Sequence, residues 1–266
     1  MKQKDFRKLG CAECSTGCDL GFDFTMAFQP IINSQTKTIF AQEALVRGLN
    51  QESAFQVFQN VNETNRYRFD QSCRVKAIKL AAELEIHKHS FLSINFLPNA
   101  VYKPELCIRT TLNAAEEYQF PKEKIIFEFT ENEQITDSKH LESIIQHYQQ
   151  QGFLTATDDF GSGFNGLNQL ADLKTDITKI DMALIKNIDQ DKKRQIIVRN
   201  LVNLFNELNM IVVAEGVETK AEYHALQDMG IHLFQGYYFA RPSVESLPEI
   251  NWDYPRAKRK KVDNLY

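Results

Sequence analysis

Polar residues lie near the C-terminal ends of most of the strands that we predict in this 266-residue chain. A polar group inside a strand is costly unless it is paired, so these positions are informative. The set is rich in oxygen donors and contains neither cysteine nor histidine, which favours hard cations such as Mg²⁺, Mn²⁺ or Ca²⁺ over zinc. Its members are Glu43, Asn95, Glu128, the adjacent Asp158 and Asp159, Lys179, Glu215 and Gln235. Asp158 and Asp159 would repel each other unless cations or Lys179 offset their charge.

The segments that carry these residues alternate between short apolar strands and amphipathic helices. In the helix predicted over residues 67–84, for example, Phe69, Cys73 and Ala77 recur at helical spacing. The predicted strands span residues 24–30, 39–47, 91–96, 125–129, 154–158, 177–180, 211–214 and 233–238. The predicted helices span residues 53–61, 67–84, 104–118, 138–151, 191–208 and 219–229, with a further short helix after the glycine-rich turn at 160–163.

Eight strands that mostly alternate with helices, without a Gly-, Pro- or Ser-rich linker, predict an α/β fold, a modified TIM (β/α)8 barrel, rather than two domains or an open sheet. The first two strands are joined by Asn33-Ser34-Gln35, a turn too short for a crossover helix, so the first strand is predicted to be antiparallel. In a barrel the C-terminal strand ends converge on one rim. A capping or pairing role explains each polar residue alone, but seven strand ends at one rim favour a shared functional site.

The motif Glu43-Ala44-Leu45-Val46-Arg47 resembles the signature of the EAL family of cyclic-di-GMP phosphodiesterases. Further matching motifs follow in order and cover roughly residues 24–242, which makes the resemblance specific. They are Phe28-Gln29-Pro30, Ser93-Ile94-Asn95, Glu128-Phe129-Thr130-Glu131, Asp158-Asp159-Phe160-Gly161-Ser162-Gly163, Lys179-Ile180-Asp181, Ala214-Glu215-Gly216-Val217-Glu218-Thr219 and Gln235-Gly236-Tyr237. The chain departs from the family pattern at His232, where the family commonly has Asp, and at Phe164-Asn165-Gly166, which replaces Tyr-Ser-Ser.

The resemblance implies a role for each matching residue. One divalent metal would be held by Glu43, Asn95, Glu128 and Asp158, and a second by Asp158 and Asp159. The position of Glu215 is either a metal ligand or the general base, and Lys179 is the lysine that contacts the attacking water. The residues implied to contact or support the substrate are Gln29, Leu45, Arg47 and Gln235. Glu131 is implied to anchor the catalytic loop at 160–163.

The activity that the resemblance implies is hydrolysis of cyclic di-GMP to linear 5′-pGpG with Mg²⁺ or Mn²⁺, two ions per site, by a homodimer. The two ions would lower the pKa of a shared water, which attacks phosphorus in line while the 3′ oxygen leaves. One alternative is a catalytically silent module of the same fold that binds cyclic di-GMP or a protein. Another is a Mg²⁺-dependent barrel lyase or isomerase that stabilises an enolate, but it leaves Arg47 and the ordered motifs unexplained.

The composition is that of an ordinary globular protein with a formal net charge of −4, which argues against binding of a nucleic acid polymer. No apolar run approaches the length of a membrane span, and residues 1–9 do not resemble a signal peptide, so we predict a cytoplasmic protein. We divide the chain into a Cys-rich segment at 1–21, a barrel at 22–250 and a basic tail at 251–266. The spacing of Cys11, Cys14 and Cys18 is compatible with an additional metal or a redox site, but the fourth ligand of a closed zinc site is not evident.

Overall fold

Eight strands close into one barrel in the computed structural model, which describes residues 20–101, 103–130, 138–163 and 166–252. The barrel strands are β1 (Thr25–Asn33), β2 (Thr38–Arg47), β3 (Phe91–Asn95), β4 (Ile125–Thr130), β5 (Leu154–Phe160), β6 (Ile177–Ile180), β7 (Ile211–Ala214) and β8 (Leu233–Phe234). Neighbours from β2 to β8 pair in parallel. Strand β1 pairs antiparallel with both β2 and β8 and so closes the barrel, which confirms the predicted α/β barrel with an antiparallel first strand.

The turn between β1 and β2 is stabilised by the side chain of Asn33. Its Oδ1 accepts hydrogen bonds from the backbone N–H groups of Gln35 at 3.0 Å and Thr36 at 3.2 Å. Such a side-chain turn reverses the chain within a few residues and leaves no room for a helix. A short ninth strand, β9 (Ser243–Val244), pairs with the other edge of β1, the edge that also contacts β8.

Helices surround the barrel, and several of them begin with a side-chain cap. The N-cap residue Thr219 accepts a hydrogen bond from the backbone of Glu222, whose carboxylate bonds back to the N-cap, so the two form a capping box. Among the described helices, none is long and apolar enough to span a bilayer. The helices are α1 (Ala54–Phe58), α2 (Arg66–Glu83), α3 (Pro104–Glu117), α4 (Ser138–Gln150), α5 (Gly166–Asp172), α6 (Met182–Ile185), α7 (Lys192–Glu207) and α8 (Lys220–Asp228).

The barrel interior contains an apolar layer with a polar layer directly above it. The apolar layer consists of Ile31, Ala41, Ile126, Ala156, Ile177, Val213 and Leu233, all of which are buried. Side chains two residues apart in a strand face the same side. The next inward position after Ala41 is therefore Glu43, and the next after Ile177 is Lys179. The same step of two reaches the remaining polar residues at this level. They are Glu128 on β4, Asp158 on β5, Glu215 and Gln235 directly after β7 and β8, and Gln29 on the reversed β1.

The last strand is much shorter than predicted. We expected residues 233–238, but β8 ends at Phe234 because the chain then turns across the barrel rim. Gln235 O accepts a hydrogen bond from Val217 N at 3.1 Å, and Tyr238 N donates to Val217 O at 3.0 Å. A Cβ added at Gly236 would lie 2.1 Å from Val217 O, so only glycine permits this approach. The helix α6 was not predicted; Asp181 caps it by accepting from Ala183 N at 2.8 Å.

We therefore expect Gly236→Ala to destabilise the protein by about 3 kcal/mol or more, because the atoms that the new methyl group meets belong to the backbone and cannot rotate away. Equilibrium denaturation in urea measures this change. The control is Gly230→Ala, where the new methyl group meets open space. The cost there should be limited to the left-handed backbone, about 1–2 kcal/mol. Equal losses for the two variants would contradict the steric argument.

Candidate functional site

The polar layer is organised around the ammonium group of Lys179, which is only 1% exposed. Four carboxylates from four different strands or strand ends surround it. The distances from Lys179 Nζ are 2.6 Å to Glu215 Oε1, 2.7 Å to Glu128 Oε2, 3.0 Å to Asp158 Oδ1 and 3.4 Å to Glu43 Oε2. The structure thus brings together, at one point of the barrel rim, residues that lie up to 172 positions apart in the sequence.

The electrostatics of this group show an excess of negative charge. Burial lowers the pKa of Lys179, but the surrounding carboxylates outweigh this effect and hold its pKa well above the ordinary value. In the metal-free site Lys179 is therefore charged and donates hydrogen bonds to these carboxylates. Burial, together with neighbouring carboxylates, raises the pKa of Glu128 to about 8 and that of Glu215 well above its ordinary value. One ammonium does not neutralise these acids, so the site favours additional cations.

Asp158 and Asp159 both belong to the site because the strand is irregular at this point. Adjacent residues in a regular strand face opposite sides. Here the register between β5 and β6 shifts between Thr157 and Phe160, and Asp159 has a φ of 55°, in the left-handed region. Burial and the charge of Asp158 raise the pKa of Asp159 to about 6. A left-handed aspartate costs conformational energy, and such strain is typical of functional sites.

Two overlapping groups of carboxylates have the geometry to hold metal ions. The first group is Glu43, Glu128 and Asp158, and the second is Asp158, Asp159 and Glu215; within each, one oxygen per residue lies within 4.8 Å of the others. We refer to these five residues as the acidic cluster. All its donors are carboxylate oxygens, which suit hard divalent cations. The donor chemistry and the unneutralised charge therefore both fit a metal-binding site.

Amide and hydroxyl groups orient the acidic cluster. Asn95 Nδ2 donates to Glu43 Oε1 at 2.8 Å, and the Ser93 hydroxyl donates to Glu128 Oε1. Gln235 Nε2 donates to Glu43 Oε2 at 2.7 Å and to Gln29 Oε1 at 3.4 Å. Gln235 thus supports Glu43, whereas the resemblance had implied support of Glu215. Hydrogen bonds of this kind fix the direction in which a ligand's lone pairs point.

A cavity lies on each side of the acidic cluster, and Glu43, Asp159 and Glu215 line both. The first, the polar cavity, has a volume of about 330 Å³ and is lined by Gln29, Asp181, Met182, Gly216, Glu218, Gln235, Gly236 and Tyr237 in addition. The second, the apolar cavity, has a volume of about 470 Å³. Its further lining includes Met26, Leu45, Phe58, Phe69, Asp70, Cys73, Asn95 and Phe96.

The predicted substrate contacts are distributed unevenly over these cavities. Gln29 and Gln235 line the polar cavity and Leu45 lines the apolar one, but Arg47 is outside the described lining of both. Its guanidinium donates to Val46 O at 2.6 Å. Glu131 and the three N-terminal cysteines lie outside the described residues, as does the basic stretch of the tail. Of the cysteines in the described residues, Cys73 and Cys107 are buried, and neither forms a disulfide.

Sequence reasoning did not identify Phe58 or Asp70, although both line the apolar cavity. A signal for Asp70 was present, because it stands four residues before Arg74, at the spacing of an ion pair on one helix face. Phe58 gave no comparable signal. It lies on the short helix α1, and only the path of the following loop brings its ring over the barrel rim, 5.3 Å from the ring of Phe69.

The raised pKa values predict how the metal-free protein responds to pH. For an acid whose pKa is higher in the folded than in the unfolded protein, protonation favours the folded state. This stabilising contribution is fully present below the unfolded pKa and is lost as the pH rises through the folded pKa. Thermal stability of the metal-free protein should therefore fall from about pH 5 upward, most steeply between about pH 5 and the Glu128 pKa of about 8, and the contribution of Glu128 should level off above that value. Metals bind deprotonated carboxylates, so Mn²⁺ affinity should rise by up to about tenfold per pH unit in the same window.

Calorimetric unfolding with and without Mn²⁺ across this range tests both statements. Glu128→Gln cannot titrate and should flatten the pH dependence of the metal-free protein. A metal-free protein whose stability increases toward alkaline pH would contradict the assignment of raised pKa values to the acidic cluster.

Comparison with known proteins identifies relatives whose sequence similarity covers the barrel. The profile of the EAL domain matches residues 18–242. The blue light- and temperature-regulated antirepressor BluF of Escherichia coli is 32% identical over 227 residues, which are 85% of this chain and 56% of that protein. The cyclic di-GMP phosphodiesterase PdeF of Escherichia coli is 33% identical over 164 residues, 61% of this chain and 22% of that protein. The chain therefore spans less than two thirds of the length of both curated relatives.

A solved structure of similar size also matches. It is a standalone versatile EAL protein from Vibrio cholerae O395 in its c-di-GMP-bound form, with 60% sequence identity and a TM-score of 0.85. The match covers 88% of this chain and 98% of that chain. The matched range, residues 18–242, includes the positions of all five residues of the acidic cluster and of Lys179. On the strength of this match and of the barrel itself, the chain belongs to the EAL domain family.

Proposed function

We propose that this chain hydrolyses cyclic di-GMP to linear 5′-pGpG and that it requires Mg²⁺ or Mn²⁺, two ions per site. The observation that carries the proposal is the acidic cluster around Lys179, which lies at the barrel rim between two cavities. The printed names of two relatives support the choice of substrate, since one is a cyclic di-GMP phosphodiesterase and one was solved with c-di-GMP bound.

The shape of the site supports a cyclic dinucleotide. Such a ligand carries two phosphates in one ring and a purine on either side. With a phosphodiester at the acidic cluster, one nucleoside extends toward the apolar cavity and the other toward the polar cavity. The apolar cavity suits the face of a base, and the amides of Gln29 and Gln235 in the polar cavity suit its hydrogen-bonding edge.

The acidic cluster, Lys179 and Glu215 each have a distinct role in the proposed reaction. Metal ions bound by the acidic cluster would neutralise phosphate charge and lower the pKa of the attacking water. Lys179 lies between carboxylates from both metal-holding groups, where its positive charge would stabilise the negative charge that builds up on the phosphate oxygens. Glu215 is the outermost acid in contact with Lys179, with a side chain 14% exposed, and is placed to accept the proton of the water. In the reaction the water oxygen bonds to phosphorus, the bond to the 3′ oxygen breaks, and the leaving oxygen takes up a proton.

A silent binding module is the second candidate, and one observation favours it. The relative with 32% identity over 85% of this chain is named an antirepressor and not an enzyme. Against this reading, all five acids of the cluster are present here, and four of them converge on one ammonium. A module that only binds a nucleotide has no need to bury so many acids.

One experiment separates the two candidates. Purified protein is incubated with cyclic di-GMP and either Mg²⁺ or Mn²⁺, and the products are separated by anion-exchange chromatography. Formation of linear 5′-pGpG that stops on chelation of the metal supports the enzyme. Calorimetric binding of cyclic di-GMP without product supports the module, and the absence of both refutes both.

Glu43→Gln should reduce turnover to below about 1% of the wild-type rate in saturating Mn²⁺, because it removes a charged ligand without changing the side-chain volume. Product formation is measured by chromatography, and circular dichroism confirms that the variant is folded. Glu83→Gln, on the exposed face of α2, is the matched control and should retain full activity. Near wild-type hydrolysis by Glu43→Gln would exclude Glu43 as an essential ligand.

We infer that the ring of Phe58 stacks on one base of the substrate. Phe58→Ala should then raise KM for cyclic di-GMP about tenfold and change kcat little, since stacking of a base on an aromatic ring contributes about 1–3 kcal/mol. Hydrolysis of bis(p-nitrophenyl) phosphate, which has no base, should not change. The control is Phe55→Ala on the same helix, because Phe55 is 74% exposed and outside the described lining of both cavities. Equal effects on both substrates would contradict stacking.

A further inference from the structure

A second buried charge pair lies behind the apolar cavity, on the helix side of the barrel wall. Arg74 Nη2 lies 2.8 Å from Asp70 Oδ2, one turn earlier on helix α2, and both side chains are at most 1% exposed. Arg74 Nη1 also donates to Tyr148 Oη at 2.8 Å. Burying such a pair removes two ions from water, and a pair of well-packed apolar residues is often at least as stable. Stability alone therefore does not account for this pair.

The guanidinium of Arg74 packs against the residues next to two members of the site. It lies 5.4 Å from the ring centre of Phe96 and 5.1 Å from that of Phe127. Side chains alternate along a strand, so Phe96 and Phe127 face outward where their neighbours Asn95 and Glu128 face the site. Arg74 therefore packs against the outer face of β3 and β4, directly behind the oxygen donors that these strands carry on their inner face.

The partner of Arg74 holds the backbone at the same place. Asp70 Oδ1 accepts a hydrogen bond from Leu97 N at 2.9 Å, two residues beyond Asn95. Between them, Phe96 N donates to Glu128 O at 2.9 Å, which ties the end of β3 to β4. Asn95 and Glu128 are themselves register partners on these strands. Two consecutive N–H groups after Asn95 are thus anchored, one to Glu128 and one to the buried ion pair.

We propose that the Asp70–Arg74 pair is a positioning device, which fixes Asn95 and Glu128 for metal binding and contributes little to the free energy of unfolding. The inference rests on the proposed metal site of the preceding section. Asp70 and Arg74 are positioning residues, since they act on the metal ligands through the backbone of residues 96–97 and the outward-facing rings. Hydrogen-bonded partners behind metal ligands typically alter metal affinity by about 10–100-fold.

The test replaces the pair by apolar residues of similar size, Asp70→Leu with Arg74→Met, and adds Tyr148→Phe so that no buried hydroxyl loses its donor. We expect a thermal midpoint close to that of the wild type and a loss of Mn²⁺ affinity of at least about tenfold, measured by titration calorimetry on metal-free protein without substrate. The absence of substrate matters because Asp70 also lines the apolar cavity. The matched control is Lys79→Met with Glu83→Leu, an exposed pair at the same spacing on the same helix, which should leave both quantities unchanged.

Several results would overturn the proposal. Mn²⁺ affinity within about threefold of the wild type in the folded variant excludes a positioning role, given the larger effects typical of such partners. If the thermal midpoint falls together with the Mn²⁺ affinity, the pair stabilises the fold and has no separate positioning role. If the variant does not fold, hydrogen exchange on the wild type decides: the Leu97 amide should exchange as slowly as the amides of β3, and exchange at the rate of an open loop refutes the anchor.

The test of the positioning role can be distinguished from the test of the proposed function. A wild-type protein that binds Mn²⁺ and does not hydrolyse cyclic di-GMP refutes the proposed reaction, and the positioning role is still decided by Mn²⁺ affinity. A wild-type protein that binds no Mn²⁺ refutes the metal site and the positioning role together.

Discussion

The ammonium of Lys179 among buried carboxylates is the interaction on which the rest of the site depends. In an apolar barrel interior neither a lone ammonium nor a group of carboxylates would remain charged. Their mutual attraction raises the pKa of Lys179 well above its ordinary value, while the acids remain under-neutralised, as the raised pKa values of Glu128 and Glu215 show. This remaining negative charge makes the rim attractive to divalent cations, which would offset the cost of burying so many acids.

The regularity of the barrel makes this arrangement possible. Seven strands each contribute one side chain to the apolar layer and, two residues along, one to the polar layer above it. The apolar layer is close-packed, so it holds the polar layer at a defined height. The reversed β1 obeys the same geometry in the opposite chain direction, which is why Gln29 precedes Ile31 where Glu43 follows Ala41.

The irregular features are concentrated at the rim, where they serve the site. The left-handed Asp159 and the register shift beside it place two adjacent carboxylates together, and Gly236 lets the last strand turn against the backbone of Val217. The regular strands beneath hold these strained positions in place. On the outer side of the wall, the Asp70–Arg74 pair lies directly behind the strand ends that carry Asn95 and Glu128.

The sequence by itself determined the strand and helix pattern, the antiparallel opening and the inward-facing polar residues of the rim, because these depend on neighbours two to four residues away and on strand ends that a barrel brings together. Only the tertiary structure decided that Gln235 supports Glu43, that Phe58 and Asp70 line a cavity, and that Arg47 bonds to its own strand. It also decided where β8 ends, because the turn at Gly236 depends on the distant backbone of Val217. These contacts join segments far apart in the chain, and their geometry follows from loop paths and packing that no local pattern of residue types encodes.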